Sequence, residues 1–264
     1  MSAVTSRSTG WPDVYRFSGR VGGTTVLDDS CAMLRALNPE YPRMYAVAAM
    51  ANESKRRWWQ LGSGPTSGRF EQMYRRSLED LRVPEAAAVQ VATALIHAVV
   101  GRVTALLAVQ ARAWDPGVEN LWIHMDSDGG IDWAGVASPI LRVLPQDPAS
   151  GASGSVTLPC EEALLVWTAH RCITSLELVL TAMSEHAPLD DRVFWALVGD
   201  AILGASTYVP ILAGANASDS ARRGQLLLDA MVAVGLPVRS RVGSDRQRLR
   251  VSRAPFLGSK ACLC

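Results

Sequence analysis

The run from Pro84 to about Ala113 constrains this chain more than any other segment. Pro84 suits a first helical position, where a missing N–H costs nothing, and no further proline interrupts the run. Its Ala, Leu and Gln residues favour a helix, and Val89 to Val109 is nearly apolar. Such a helix either crosses a membrane or lies inside a protein core. Gln90, His97 and Arg102 decide between the two. An arginine near the centre of a span costs roughly 2.5–3.5 kcal/mol even on insertion scales. The reading is therefore a helix buried within an all-helical core, with no transmembrane span.

Other elements assemble around it. Short helices are expected from Ser30 to about Leu37 and from Pro42 to about Met50. Trp58 and Trp59 follow the basic Lys55-Arg56-Arg57. They form either a cation–π or ligand-stacking surface, or a helix end with one tryptophan in the core. Gly62 to Gly68 is a loop. Asp115-Pro116-Gly117 ends the central helix, and Asp128-Gly129-Gly130 is a turn between two short strand candidates, Asn120 to Met125 and Ile131 to Trp133. That pattern predicts a small β-hairpin. A Ser-, Gly- and Ala-rich loop from Pro145 to Pro159 separates the halves. Glu161 and Glu162 then open a helix where its dipole favours acids, running to about Ser184. Two more follow, from Arg192 to Ala213, with Pro210 kinking or ending it, and from Asp219 to about Val234. The fold class is mainly α: a helical body of two helical halves, 1–145 and 159–264, with a small β-hairpin or short strands and an irregular C-terminal tail. The halves stand as two parts or as one continuous domain.

Composition narrows the function classes. With 48% apolar residues and a net charge of +1 over 264 residues, the chain has enough core to fold and lacks the signature of disorder. The same near-zero charge argues against a general nucleic-acid binder. Among the basic residues only Lys55 and Lys260 are lysine, so nearly every cation is a planar fork suited to carboxylates and other oxyanions. The five cysteines, Cys31, Cys160, Cys172, Cys262 and Cys264, are odd in number and do not form a disulfide scaffold. Met1 to Gly10 carries no apolar core of a secretory signal. The expectation is a cytoplasmic protein with reduced thiols.

Catalytic motifs are sparse. His97, His124, His170 and His186 fall in no zinc pattern, and no nucleophile elbow, P-loop or dinucleotide fingerprint occurs. Asp126, Asp128 and Asp132 begin like a calcium loop, but no Glu stands at its twelfth position; a solvated turn is the reading. Cys160 and Cys172 fall in a helical pattern where burial is expected. Cys262-Leu-Cys264 is the most unusual feature. Two soft thiolates so close suit zinc, copper(I) or an iron–sulfur centre, or a redox pair, or no role at all.

The order of these features resembles the FhuF-like ferric siderophore reductases. Thr104 to Arg112 and then Trp122 to Val136 look like that family's central helix and strand pair. Trp167 to Met183 and Phe194 to Ala205 look like its paired helices. Leu249 to Arg253 is similar to its basic strand, and Cys262 and Cys264 to its first cysteine pair, displaced and split; the second pair would fall beyond Cys264. The resemblance implies a [2Fe–2S] cluster ligated in part by Cys262 and Cys264; either the chain is a shortened form, or other ligands complete the cluster, or it is lost, and two such pairs across a homodimer are one way to supply four thiolates. It implies one-electron reduction of an Fe(III)–siderophore, fed by an electron donor, which releases Fe(II). Arg250 and Arg253 beside the thiols would draw in an anionic complex. The alternative is a cluster-less member of the same fold that binds a siderophore or another metabolite, or acts in a biosynthetic pathway without redox chemistry. A helical protein holding one soft metal between Cys262 and Cys264 is the third reading.

Overall fold

The structure, a computed structural model, describes residues 25–54 and 56–239. In chain order these form α1 (Val26–Ala36), β1 (Ala48–Ala49), β2 (Trp58–Gln60), α2 (Arg69–Leu81), α3 (Pro84–Ile96) and α4 (Arg102–Gln110). β3 (Leu121–Met125), β4 (Ile131–Val136), β5 (Leu141–Val143), β6 (Ser155–Thr157), α5 (Glu161–Ser184), α6 (Asp191–Ala213) and α7 (Ala217–Ala233) follow. The fold is mainly α with a few short strands.

A π-turn, His97–Gly101, joins α3 to α4 into one helix, Pro84–Gln110. From Val99 through Ala108 every residue is buried. This helix packs against α2, α5, α6 and α7, and one continuous cluster of buried apolar residues runs from Leu27 to Val238. Its burial explains why apolar residues cover every face instead of one stripe. By length and composition, three helices among the described residues are apolar enough to cross a membrane: Pro84–Gln110, Glu161–Ser184 and Asp191–Ala213. Protein covers 83% of the most apolar window of the first, against 44% and 39% for the other two.

Caps set the helix ends. α1 begins four residues ahead of the expected Ser30, because Thr25 and Asp28 form a reciprocal capping box. Asp190 and Asn216 cap α6 and α7 by accepting from two backbone N–H groups each. Pro210 does not end α6, which continues to Ala213.

The helix expected from Pro42 to Met50 is absent. Those residues turn, enter β1 and leave through a 3-10 turn at Met50–Asn52. Ala48 and Ala49 pair with Gly135 and Val136 instead, and arginines satisfy carbonyls of the turn. Arg102 Nη1 donates to the carbonyls of Arg43 and Ala46, and Arg35 Nη2 reaches that of Val47 at 3.5 Å. These donors leave the buried carbonyls paired without a helix.

The expected hairpin forms, and it belongs to a larger sheet of order β1-β4-β3-β2. β3 is antiparallel to β4 and β2, while β1 runs parallel to β4. Leu121, Ile123, Ala134 and Val136 enter the core. A satellite cluster of Ala48, Met50 and Trp58, joined by Trp122 and Trp133, lies apart from it. Trp58 and Trp59 are thus both buried in a strand, in different clusters, rather than standing at a helix end. The loop from Pro145 to Pro159 contains β6, which pairs in parallel with β5.

Candidate ligand-binding site

The central helix departs from regular geometry at its π-turn. The Arg102 backbone N–H donates to the His97 carbonyl across five residues. In an α-helix that spacing sets two side chains about 140° apart; the wider turn lets both line one cavity. Such turns often occur at functional sites. Gly101 is needed for close approach, since a Cβ there would lie 2.8 Å from Cδ2 of the His97 ring. The cavity measures about 720 Å³ and is completed by Glu40 to Met44 and by Ile131 and Asp132.

Arg102 is 4% exposed. Its Nη1 is spent on the two carbonyls described above. Its Nε is fully buried and has no hydrogen-bond partner, and no carboxylate forms an ion pair with the side chain, among the described residues. Burial pulls its pKa down to about 10, partly offset by Asp132 and Cys31, so it stays charged at neutral pH. His97 is held near 4 by burial and by the Arg102 charge, so its ring is neutral there. The Tyr45 ring lies 6.2 Å from it, tilted by 50°. Tyr41, Pro42 and Met44 supply an exposed, largely apolar wall.

Asp132 links this cavity to the outer face of the sheet. One oxygen accepts from Arg43 at 2.8 Å, and the other lies 2.5 Å from His124 Nδ1. Arg43 stacks over Trp133 at 4.5 Å, and Trp133 lies 5.6 Å from Trp58. On this face Arg35 and Arg43 stack over Trp133, and elsewhere Arg142 stacks over Trp167 at 4.5 Å. Gly135 makes room beneath, where a Cβ would sit 2.6 Å from Met50 Sδ.

Two further cavities, of about 680 and 430 Å³, are rimmed by charges of both signs. In the smaller, Glu161 takes Arg222 and Arg223. Neither offers a buried donor without a partner.

Cys262, Cys264, Arg250 and Arg253 lie outside the described residues, as does Lys55. The remaining cysteines do not assemble a metal site. Cys31 and Cys172 are buried and Cys160 is exposed, the last against expectation because it stands at the N-cap of α5. Burial raises the Cys31 thiol to about 11 and pushes the Cys172 thiol higher still, which keeps both protonated. No group of three or more His, Cys, Asp or Glu able to hold a metal occurs among the described residues. These residues therefore do not fit an iron–sulfur cluster, which needs four thiolates. Asp126 caps its own turn, accepting from the N–H groups of Asp128 and Gly130, as a solvated turn would. Comparison with known protein families, curated proteins and solved structures finds no match to this chain.

From the sequence, His97 and Arg102 read only as polar interruptions of an apolar helix. The available signal was their spacing. Two polar residues five apart, with a glycine beside the second, sit badly in a regular helix buried on every side.

Proposed function

We propose that this chain binds a small molecule bearing an anionic group in the π-turn cavity, as the cluster-less alternative has it, without redox chemistry in its helical body. One observation carries the reading: Arg102 is buried and charged, yet part of its guanidinium has no partner among the described residues. A buried charge with no carboxylate paired to it is costly, and an anion in the cavity that Arg102 lines offsets it. The test is thermal denaturation and calorimetric titration with matched anionic, neutral and cationic compounds. Anions are expected to bind and to raise the melting temperature, and Arg102→Met to abolish both effects. Equal protection by amines and acids would refute the reading.

The iron–sulfur ferric siderophore reductase is the second reading. It is carried by Cys262-Leu-Cys264 and by the basic Arg250 and Arg253. A cluster ligated in part by these cysteines would supply one-electron transfer to a bound Fe(III) complex. Anaerobically purified protein with charge-transfer absorbance, matched iron and sulfide, and loss of both in Cys262→Ser would support it. A colourless, sulfide-free protein would leave only the binding reading.

A further inference from the structure

We propose that α6 is a dimerisation surface: its outward face docks antiparallel against the same face of a second copy of this chain, about a two-fold axis at Gly204. Three observations lead there.

The first is apolar surface left open. Leu197, Asp200, Gly204, Tyr208 and Ile211 succeed one another at three- and four-residue spacing, so they share one face of α6. None of them is buried. Tyr208 and Ile211, 67% and 68% exposed, are the most exposed large apolar side chains among the described residues, and Leu203 and Leu212 flank them. Apolar side chains gathered on one exposed face mark an interaction site.

The second is Gly204. A glycine inside a helix costs about 1 kcal/mol relative to alanine, and close packing is the usual return. Gly101, Gly199 and Gly224 have that return within the chain: a Cβ there would meet the His97 ring, the Val238 carbonyl and the Ser206 hydroxyl. At Gly204 a Cβ would meet nothing within 4 Å. The gap lies on the open face, where it lets a second helix approach to roughly 8–10 Å between axes.

The third is charge, and it selects the occupant. Asp200 is the one charged residue of α6 beyond Arg192, and neither its carboxylate nor the Tyr208 hydroxyl has a hydrogen bond or ion pair among the described residues. In an antiparallel pair with its axis at Gly204, residues equally far before and after that glycine face each other. Tyr208 of one copy then meets Asp200 of the other and donates its hydroxyl to that carboxylate, twice by symmetry, while Leu197 meets Ile211. A parallel pair would set Asp200 against Asp200. A bilayer would take the same carboxylate into hydrocarbon, at a cost of roughly 2.5–3.5 kcal/mol. One helix crossing another makes an interface at the low end of the size range, below about 1,200 Å² in total. A dissociation constant on the order of 10–100 µM is therefore expected.

The experiment is sedimentation of the full chain over about 1–300 µM, which brackets that value. Reductant and a chelator are present, so that neither a disulfide nor a metal at Cys262 and Cys264 joins two copies. Wild type is expected to pass reversibly from monomer to dimer. Gly204→Leu fills the gap and Ile211→Glu places a charge on the face. Each should raise the dissociation constant at least about tenfold without lowering the melting temperature of the dilute protein; if one does not fold, the other decides. Tyr208→Lys keeps a donor opposite Asp200 and should stay within about threefold of wild type, whereas Tyr208→Glu sets two carboxylates together and should weaken the dimer about tenfold. Equal weakening by the two Tyr208 variants overturns the antiparallel pairing, since residue 208 then does not face Asp200. A chain that stays monomeric throughout, including one that cosediments instead with phosphatidylcholine vesicles, overturns the proposal. So does a dimer that Gly204→Leu and Ile211→Glu leave intact, because its interface would lie on another face.

Discussion

A histidine beside a buried arginine is an expensive neighbour to protonate. His97 faces Arg102 from its own helix, with Tyr45 from the preceding loop and Asp132 across the cavity. Its pKa in the folded chain, near 4, lies below the ordinary 6.5. Above pH 6.5 the ring is neutral in both states and contributes no pH dependence. As the pH falls from 6.5 towards 4, the unfolded chain takes up a proton that the folded chain refuses, and stability falls. Chemical denaturation of wild type and His97→Gln at pH 7 and 4.5 should therefore diverge. Wild type is expected to lose about 2–3 kcal/mol more than the variant over that interval. Parallel losses would show that the imidazole is not held neutral. At this scale the sequence identified little of the candidate site. His97 and Arg102 are plain in the run as polar interruptions, but Arg43 and Asp132 meet through pairing 89 residues apart, which no local pattern records. The tail residues that the sequence favoured, Cys262 and Cys264, say nothing about this cavity.

At the scale of elements, legibility followed the range of the forces involved. α5, α6 and α7 were readable to within a few residues, because caps, acidic first turns and terminal glycines act over three or four positions. The central helix was readable from its apolar run, while its π-turn was not, since a single extra residue leaves hydropathy unchanged. The segment from Pro42 to Met50 departs from the expected helix because Ala48 and Ala49 pair with β4, and Arg102 satisfies the Ala46 carbonyl, both from distant parts of the chain. Local propensity carries no record of such donors. The π-turn itself makes a sharp prediction. Gly101→Ala would place a methyl 2.8 Å from the His97 ring, in a helix where alanine is otherwise the better former by about 1 kcal/mol. Crowding should outweigh that gain. The expected result is a net loss of about 1–2 kcal/mol with unchanged helicity, and weakened binding as the imidazole is pushed into the cavity. A stabilised variant with intact binding would mean that the ring does not lie over Gly101.

Across the whole molecule, arginine forks tie distant parts of the chain together. Arg112 holds Asp147, Arg222 and Arg223 hold Glu161, and Arg171 of α5 holds Asp115 and Glu119 in the loop before β3. Arg112 and Arg171 each give two parallel N–H groups to one carboxylate, which a lysine does not supply. Arg171 is the contact most open to test. Its bond to Asp115 raises its pKa against the downward pull of burial. Beside it Ser175 donates to the Pro116 carbonyl at 2.7 Å, and Gly117 lies so close beneath the guanidinium that any Cβ would collide with Nη2. The Arg171 and Asp115 side chains are 21% and 16% exposed, so solvent screens part of the pair and the full cost of a broken buried bridge does not apply. Arg171→Met is then expected to cost about 2 kcal/mol, chiefly by leaving Asp115 uncompensated. Asp115→Asn in the same background should recover part of that loss, giving a coupling of about 1 kcal/mol in a double-mutant cycle. Additive losses would mean that the two side chains act independently, and that α5 is held against the loop by Ser175 and apolar packing alone. A coupling that survives 1 M salt, where exposed pairs are largely screened, would place the pair among the contacts that join the helices of the second half to the strands of the first.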